Sequence, residues 1–353
     1  MKAAVLYEVN KPLVIEEIDI DEPGPGQVMV KAVSVGVCHS DLHRIEGRTP
    51  TELPAVVGHE AAGIVERVGE GVTYVQRGDH VVMSFIAFCG TCRYCQTGRS
   101  VLCIQGRRNP KHLRKGDQRI NVFGNSAFAE YVVALESAVV KVREDAPLGK
   151  LGIVGCAVAT GVGAVLNAAK VEAGSSVAVI GIGGVGLNVV QGAALAAADP
   201  IIAIDVLERK LEMAKQFGAT HFVNASKEDP VKAVHSLTGD GADYAFEVIG
   251  NPEAISQAFD MLNAAGEAMV LGVSPVGSKT SIDARGLHSQ KTLKGCLYGS
   301  IRPRVEIPRF IDLYMAGRLK LDELISRTYP LEGINEAFAA MKAGEVARSV
   351  ITF

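Results

Sequence analysis

The rhythm of hydrophobic and polar positions changes near Pro147. Before it, short β-prone runs dominate: Ala3 to Leu6, Leu13 to Ile18, and Gln27 to Val35, where polar and apolar residues alternate as on a half-buried strand. Ala61 to Val68, His80 to Phe85 and Phe128 to Leu135 extend the series. Pro23-Gly24-Pro25-Gly26, Gly69-Glu70-Gly71 and Gly78-Asp79 supply turns between the runs. A short helical turn is expected after Cys38, ended by Gly47. Residues 104–125 are polar and basic (Arg107, Arg108, Lys111, Arg114, Lys115) and read as an exposed loop.

After Pro147, Ala157 to Ala169 is small, apolar and helix-compatible. Strands and helices then alternate. Ser176 to Ile180, Ile201 to Asp205, Tyr244 to Val248 and Ala268 to Val273 read as strands, and Gly184 to Ala198, Leu207 to Phe217 and Pro252 to Leu262 as helices. This order predicts a parallel sheet covered on both faces, and an α/β fold class for the chain. Beyond Gly299 the pattern loosens into helices near Ile307 to Met315 and Ile334 to Met341 and a last strand, Ser349 to Phe353.

At 353 residues the chain suggests two domains. Hydrophobic content of 48% and charged content of 21% are those of an ordinary globular protein. A net charge of -3 argues against nucleic acid or an anionic membrane as partner. The start lacks the long apolar core of a signal peptide. The longest apolar run, near Val185 to Ala198, is broken by Asn188 and Gln191, so no membrane span and a cytoplasmic location are expected. Of the seven cysteines, four crowd between Cys89 and Cys103, a distribution that suggests metal rather than disulfides.

Gly181-Ile182-Gly183-Gly184-Val185-Gly186 follows an expected strand and opens an expected helix. The first glycine makes a tight turn, the second lets backbone approach a pyrophosphate, and the third lets helix pack on strand. The helix start offers amide donors and a positive dipole end. About twenty residues on, Asp205 ends the next strand, where a carboxylate accepts ribose hydroxyls and repels a 2′-phosphate, so NAD is expected over NADP. Lys210 reaches toward the same ribose; the plainer reading is a solvated helix lysine.

Cys89-Gly90-Thr91-Cys92-Arg93-Tyr94-Cys95 continues to Cys103. Two-residue gaps turn successive thiolates onto one ion, and four thiolates fill a tetrahedral zinc with no open position, which makes the site structural. Cys38, Cys156 and Cys296 remain. Cys156 precedes the expected Rossmann part, and with Cys38 and His59 it would give two thiolates, one imidazole and an open position. On pattern alone a buried free cysteine is an equal alternative.

Gly36-Val37-Cys38-His39-Ser40-Asp41, Gly58-His59-Glu60, Gly78-Asp79-His80-Val81, the four-cysteine run, Gly155-Cys156, Thr160-Gly161, the glycine motif and Phe246-Glu247-Val248-Ile249-Gly250 stand in an order spanning almost the whole length. Together they resemble the zinc-dependent alcohol dehydrogenases of the medium-chain dehydrogenase/reductase superfamily. The resemblance implies a GroES-like catalytic domain (1–157 and 298–353, with a structural zinc lobe at 89–103) and an inserted Rossmann domain (158–297). It implies two zinc ions per chain, the catalytic one on Cys38, His59 and Cys156. It further implies that Glu60 approaches that metal from behind, that Asp41 orients His59, and that Ser40, the cofactor ribose and His43 carry away the alcohol's proton. Thr160, Val248 and Val273 are expected beside the cofactor, His39 and Arg348 at its pyrophosphate, and Phe85 in the substrate pocket, though Phe85 also reads as plain core.

Position 39 is His, where liver-type animal members carry Arg against the pyrophosphate, so a weaker, titratable contact and a looser hold on NAD are expected. The stretch 104–125 is shorter than in those enzymes. The expected reaction is hydride transfer from an alcohol to NAD+, giving an aldehyde or ketone. The rivals are a polyol or a thiol–formaldehyde adduct as substrate, and a non-catalytic NAD-binding sensor. A homodimer or homotetramer is expected.

Overall fold

The computed structural model describes residues 1–107 and 112–353. Arg108 and Lys111 therefore lie outside the described residues, as does the side chain of Arg107. The chain divides into two compact units, one made of Met1–Ala157 and Arg302–Phe353 and the other of Val158–Ile301. The return to the first unit comes later than the expected 298. Tyr298–Ile301 packs on the helix Ala157–Gly163, so closely that a Cβ on Gly299 would lie 2.9 Å from the Thr160 carbonyl oxygen.

In the first unit one long strand, Gln27–Gly36, carries most of the pairing. It lies between Glu60–Val68 and the final strand Arg348–Thr352, and Tyr131–Leu135 pairs with it as well. Its alternating sequence puts Val28, Val30, Ala32 and Val35 into a core shared with Ala61, Val65, Met83 and Phe128. The helix Ile334–Lys342 closes this core with Ile334, Ala337 and Phe338, the last meeting Phe128 edge-on at 5.7 Å. The last strand pairs Val350 with Gly36 and Ile351 with Val35, so residues far apart in sequence complete one sheet.

A second sheet contains Lys2–Leu6, Val14–Glu17, Ala55–Val56 and, against expectation, two strands from the basic stretch, Leu113–Lys115 and Gln118–Val122. Only part of 104–125 is exposed loop. Leu113 and Ile120 are buried with Ala3, Val5 and Val56, and that small core holds the hairpin down. Its charges are spent locally: Arg114 and Arg119 on Asp21, and Lys115 on Glu16.

The second unit is a six-stranded parallel sheet in the order His221–Asn224, Ile201–Asp205, Val177–Ile180, Ala242–Glu247, Leu262–Val270, Thr292–Gly295. Numbered within the unit this order is 3-2-1-4-5-6, the doubly wound arrangement that binds dinucleotides where the strand order reverses. The central strand Val177–Ile180 is wholly buried, as a strand covered on both faces must be. The helix Pro230–Thr238 starts at Asp229, whose side chain accepts from the amides of Val231 and Lys232, and Pro252–Asp260 starts the same way at Asn251. Among the described residues no single helix is long and apolar enough to cross a membrane.

Asp243 ties three of these strands together at their starts. It accepts from the Ser176 amide at 2.7 Å, the Ser176 hydroxyl at 2.8 Å and the Asn263 side-chain amide at 2.7 Å. Partial burial works against its charge, but the Ser176 and Asn263 donors outweigh that and hold the carboxyl below its usual range. Asp243→Ala is expected to lower stability by about 1–3 kcal/mol in urea unfolding at neutral pH. A carboxyl with a depressed folded-state pKa stabilises above its unfolded value and loses that contribution as pH falls through the folded one. The gap between wild type and variant should therefore narrow as pH drops below about 4.

Candidate functional site

Cys38 follows the end of the strand Gln27–Gly36 in extended conformation, directly before the helix His39–Ile45. The helix forms here because Leu42 and Ile45 bury on one side while His39 and Ser40 stay exposed. His59 and Glu60 enter the neighbouring strand, Glu60 directly opposite Gly36. A side chain at Gly36 would run into the Glu60 carboxylate, so the glycine is what lets that carboxylate lie over the strand. Cys156 follows the short turn Gly152–Gly155, whose residues are all buried. The ligand atoms of Cys38, His59, Glu60 and Cys156 lie within 4.8 Å of one another, and all four residues are buried.

This set is short of positive charge. A hydrogen bond with Cys156 first, and then the charge of His59, hold the Cys38 thiol well below its usual range, despite burial. The Cys156 thiol is pushed up by that same bond and by burial. Two adjacent thiolates repel, and a dication is what removes that penalty. Burial also raises the Glu60 carboxyl to about 8, against the pull of Arg348. Arg348 Nη1 lies 3.3 Å from Glu60 Oε1 and donates to the Val37 carbonyl at 3.0 Å, yet neither Glu60 oxygen has a hydrogen-bond partner. An orphaned buried carboxylate beside two thiols and an imidazole fits a metal site.

His59 is held from behind. Its Nδ1 lies 3.0 Å from Asp41 Oδ1, which also accepts from the Gly58 amide at 3.1 Å. With a carboxylate on Nδ1 the ring proton belongs there, and Nε2 is left as the ligand atom. Burial alone would lower the His59 pKa, but Asp41 and Cys38 raise it well above the ordinary value. Phe85 meets the imidazole edge-on at 5.5 Å. Asn125 escaped notice because it lies in the stretch read as a basic loop. It is buried and donates to the carbonyls of His59 (3.3 Å) and Ser84 (3.4 Å), tying the ligand to the segment that carries Phe85. The Gly124-Asn125-Ser126 turn signal was the available clue.

Ser40 and His43 stand three residues apart on the same short helix, Ser40 exposed and His43 half-buried. His39 is exposed at its first position, whereas Arg348 is buried against Glu60.

In the second cluster, Cys92 Sγ lies 3.5 Å from Cys95 Sγ and 3.8 Å from Cys103 Sγ, and Cys89 Sγ lies 4.0 Å from Cys95 Sγ. A tetrahedron with zinc–sulfur bonds of about 2.3 Å has edges of about 3.8 Å. Backbone amides of Cys89 and Gly106 point at Cys103 Sγ, and that of Cys92 at Cys89 Sγ, as they do around thiolates. The four sulfurs fit a closed zinc site. Cys296 belongs to neither cluster and is buried, which raises its thiol pKa.

In the second unit the glycine motif joins the strand Val177–Ile180 to the helix Gly184–Leu195. Gly181 has φ +98°, a Cβ on Gly186 would strike the Gly181 carbonyl, and the space over Gly183 is open. That space suits a pyrophosphate. Asp205, buried at the end of its strand, accepts from the amides of Ile182 (2.8 Å) and Leu207 (3.1 Å), with Lys210 Nζ 3.4 Å away. Val185 lies in the first turn of the helix. Glu247 fixes the turn after the fourth strand by accepting from the amides of Ile249 (2.8 Å) and Gly250 (2.7 Å). That turn carries Val248; Val273 is strongly exposed and Thr160 half-buried on the helix Ala157–Gly163.

The alcohol dehydrogenase GroES-like domain model matches residues 24–144, and the zinc-binding dehydrogenase model matches residues 184–315. The class-3 alcohol dehydrogenase of Dictyostelium discoideum is 41% identical, over 99% of this chain and 97% of its own length. The S-(hydroxymethyl)glutathione dehydrogenase of Paracoccus denitrificans is 39% identical, over 100% and 99%. The crystal structure of benzyl alcohol dehydrogenase from Acinetobacter calcoaceticus superposes with a TM-score of 0.95 at 36% identity, covering 100% of this chain and 99% of that one. Similarity of this extent, end to end and in both sequence and fold, admits one assignment: the chain belongs to the zinc-dependent, medium-chain alcohol dehydrogenases.

Proposed function

We propose that the first unit is the catalytic half of an NAD-linked alcohol dehydrogenase, with Cys38, His59 and Cys156 as ligands of a catalytic zinc. The observation that carries this reading is the buried, under-neutralised quartet those residues form with Glu60. When bound, zinc supplies a Lewis acid that acidifies an alcohol hydroxyl, and NAD supplies the hydride acceptor.

The chain's own residues do the rest. Asp41 keeps the His59 proton on Nδ1 and aims Nε2 at the metal position. Glu60, held in place by Arg348 rather than by a hydrogen bond, is the one donor of the quartet free to move toward or away from that position. Ser40 takes the proton from the substrate hydroxyl, and His43, one turn on, hands it to water. Phe85 walls the substrate against the imidazole edge. Cys89, Cys92, Cys95 and Cys103 hold a structural zinc.

In the second unit Gly181, Gly183, Gly184, Val185 and Gly186 take the pyrophosphate, and Asp205 takes the adenosine ribose with Lys210 beside it. Thr160, Val248 and Val273 are the candidate contacts of the remaining part of NAD. His39 and Arg348 are the first unit's candidate ligands for the pyrophosphate.

The substrate is a small alcohol, aldehyde or ketone. The name of the Paracoccus denitrificans relative, an S-(hydroxymethyl)glutathione dehydrogenase, favours a second reading, a thiol adduct of formaldehyde. Of the basic residues of 104–125, Arg114, Lys115 and Arg119 are already paired with carboxylates, so they do not form the anion pocket that such a carrier would need. A cytoplasmic homo-oligomer completes the proposal.

Cys38→Ser is expected to lower bound zinc from about two to about one per chain, read by atomic absorption, and to cut alcohol oxidation by more than about a hundredfold. Full turnover in that variant would remove the zinc assignment. Asp205→Ser should shift the ratio of kcat/KM for NAD over NADP by about tenfold to a hundredfold toward NADP, the loss of a charged hydrogen bond to the ribose. An unchanged ratio would show that Asp205 does not select the cofactor.

A further inference from the structure

Arg44 follows His43 on the helix His39–Ile45 and turns into a cavity of about 320 Å³ that it lines with Thr51, Glu52, Asn121 and Phe123. Its guanidinium carbon lies over the Phe123 ring, 2.9 Å from the centroid. Nη1 donates to the Pro50 carbonyl at 3.0 Å and to the Thr51 hydroxyl at 3.1 Å. A guanidinium has five N–H donors, and among the described residues those on Nε and Nη2 meet no protein acceptor. Among the described residues no carboxylate comes within ion-pairing distance of Arg44; Glu52 already has a partner of its own.

Such a cation is costly as it stands. Burial pulls the Arg44 pKa down to about 10, and among the described residues the opposing charge that reaches it is Asp41, whose Oδ1 is engaged by His59 and the Gly58 amide. Stacking on Phe123 recovers part of that cost. The Asn121 side-chain amide gives one hydrogen to the Pro54 carbonyl at 3.2 Å and keeps a second beside the cavity. One unspent guanidinium edge, Nε with Nη2, a flanking amide donor and an aromatic floor match a planar anion held bidentately.

We propose that this cavity is a carboxylate-binding subsite, with Arg44 as the counter-ion and Asn121 as the flanking donor. The carboxylate is either the acid group of an alcohol substrate or that of a separate small organic acid. The first case rests on the dehydrogenase reading above; binding of a free acid does not.

The test uses the zinc-loaded enzyme with two readouts. One is benzoate affinity by isothermal titration calorimetry. The other is the ratio of kcat/KM, with NAD, for 4-(hydroxymethyl)benzoate over its methyl ester. Wild type should bind benzoate, and Arg44→Gln should weaken that binding by about tenfold or more. If the acid-to-ester ratio falls by a similar factor, the subsite serves the substrate's own acid group; if it stays, the subsite serves a separate acid. Arg44→Lys keeps the charge but not the fork, so it should show a smaller loss, and it carries the test if Arg44→Gln folds poorly. Benzoate binding that is absent, or equal in wild type and both variants, together with an unchanged ratio, overturns the proposal. A protein that oxidises neither alcohol would defeat the dehydrogenase reading while leaving the benzoate measurement to decide this one.

Discussion

The first unit is built around ionisable groups that have been taken out of water. Two thiols, an imidazole and two carboxylates, with Arg348 behind them, occupy a volume that the Gln27–Gly36 sheet would otherwise fill with valines. Burying such a set costs several kcal/mol per charge unless each member is matched. The matching is partial by construction. Asp41 is met by His59 and Glu60 by Arg348, while the two thiols share what is left. The donors that surround this point, two sulfurs and an imidazole with a carboxylate beside them, suit one compact dication such as zinc.

The same logic separates the two metal clusters. At Cys89, Cys92, Cys95 and Cys103 the four sulfurs stand near the corners of a tetrahedron and backbone amides face those of Cys89 and Cys103, which leaves a bound zinc no protein-free corner. At Cys38, His59 and Cys156 the fourth neighbour is a carboxylate tethered by an ion pair, which would make a weaker and displaceable ligand. A closed site holds a fold, whereas one with an exchangeable position is able to do chemistry.

Much of this was legible in the chain because the informative residues are close in sequence. The glycine motif, the spacing of the four cysteines and Cys38 through Asp41 each lie on one short segment, where local geometry and residue type suffice. The expected central strands also emerged, since strands buried on both faces read as apolar runs. The edge strands His221–Asn224 and Thr292–Gly295 did not, because one side of each meets solvent and their polar residues hide the pattern. The hairpin Leu113–Val122 reads as loop in the sequence because its buried face is defined by Ala3, Val5 and Val56, more than fifty residues away in the chain. Asn125 and Arg44 were missed for a related reason: their importance comes from what folds onto them, His59 and Phe123, and no spacing rule reports that.

The pairing of Arg348–Thr352 with Gln27–Gly36 has a consequence in time. The ribosome releases the N-terminal part of the sheet first, and the nucleotide-binding unit, continuous from Val158 to Ile301, next. That middle piece is able to fold as it emerges. The piece that holds the catalytic donors is not, because its closing strand, and with it the arginine beside Glu60, is made after that whole middle piece. A nascent chain that has passed Ile301 but not yet Arg348 therefore carries a complete cofactor fold and an incomplete set of catalytic donors. The chemistry of the enzyme waits on a strand made after its cofactor fold.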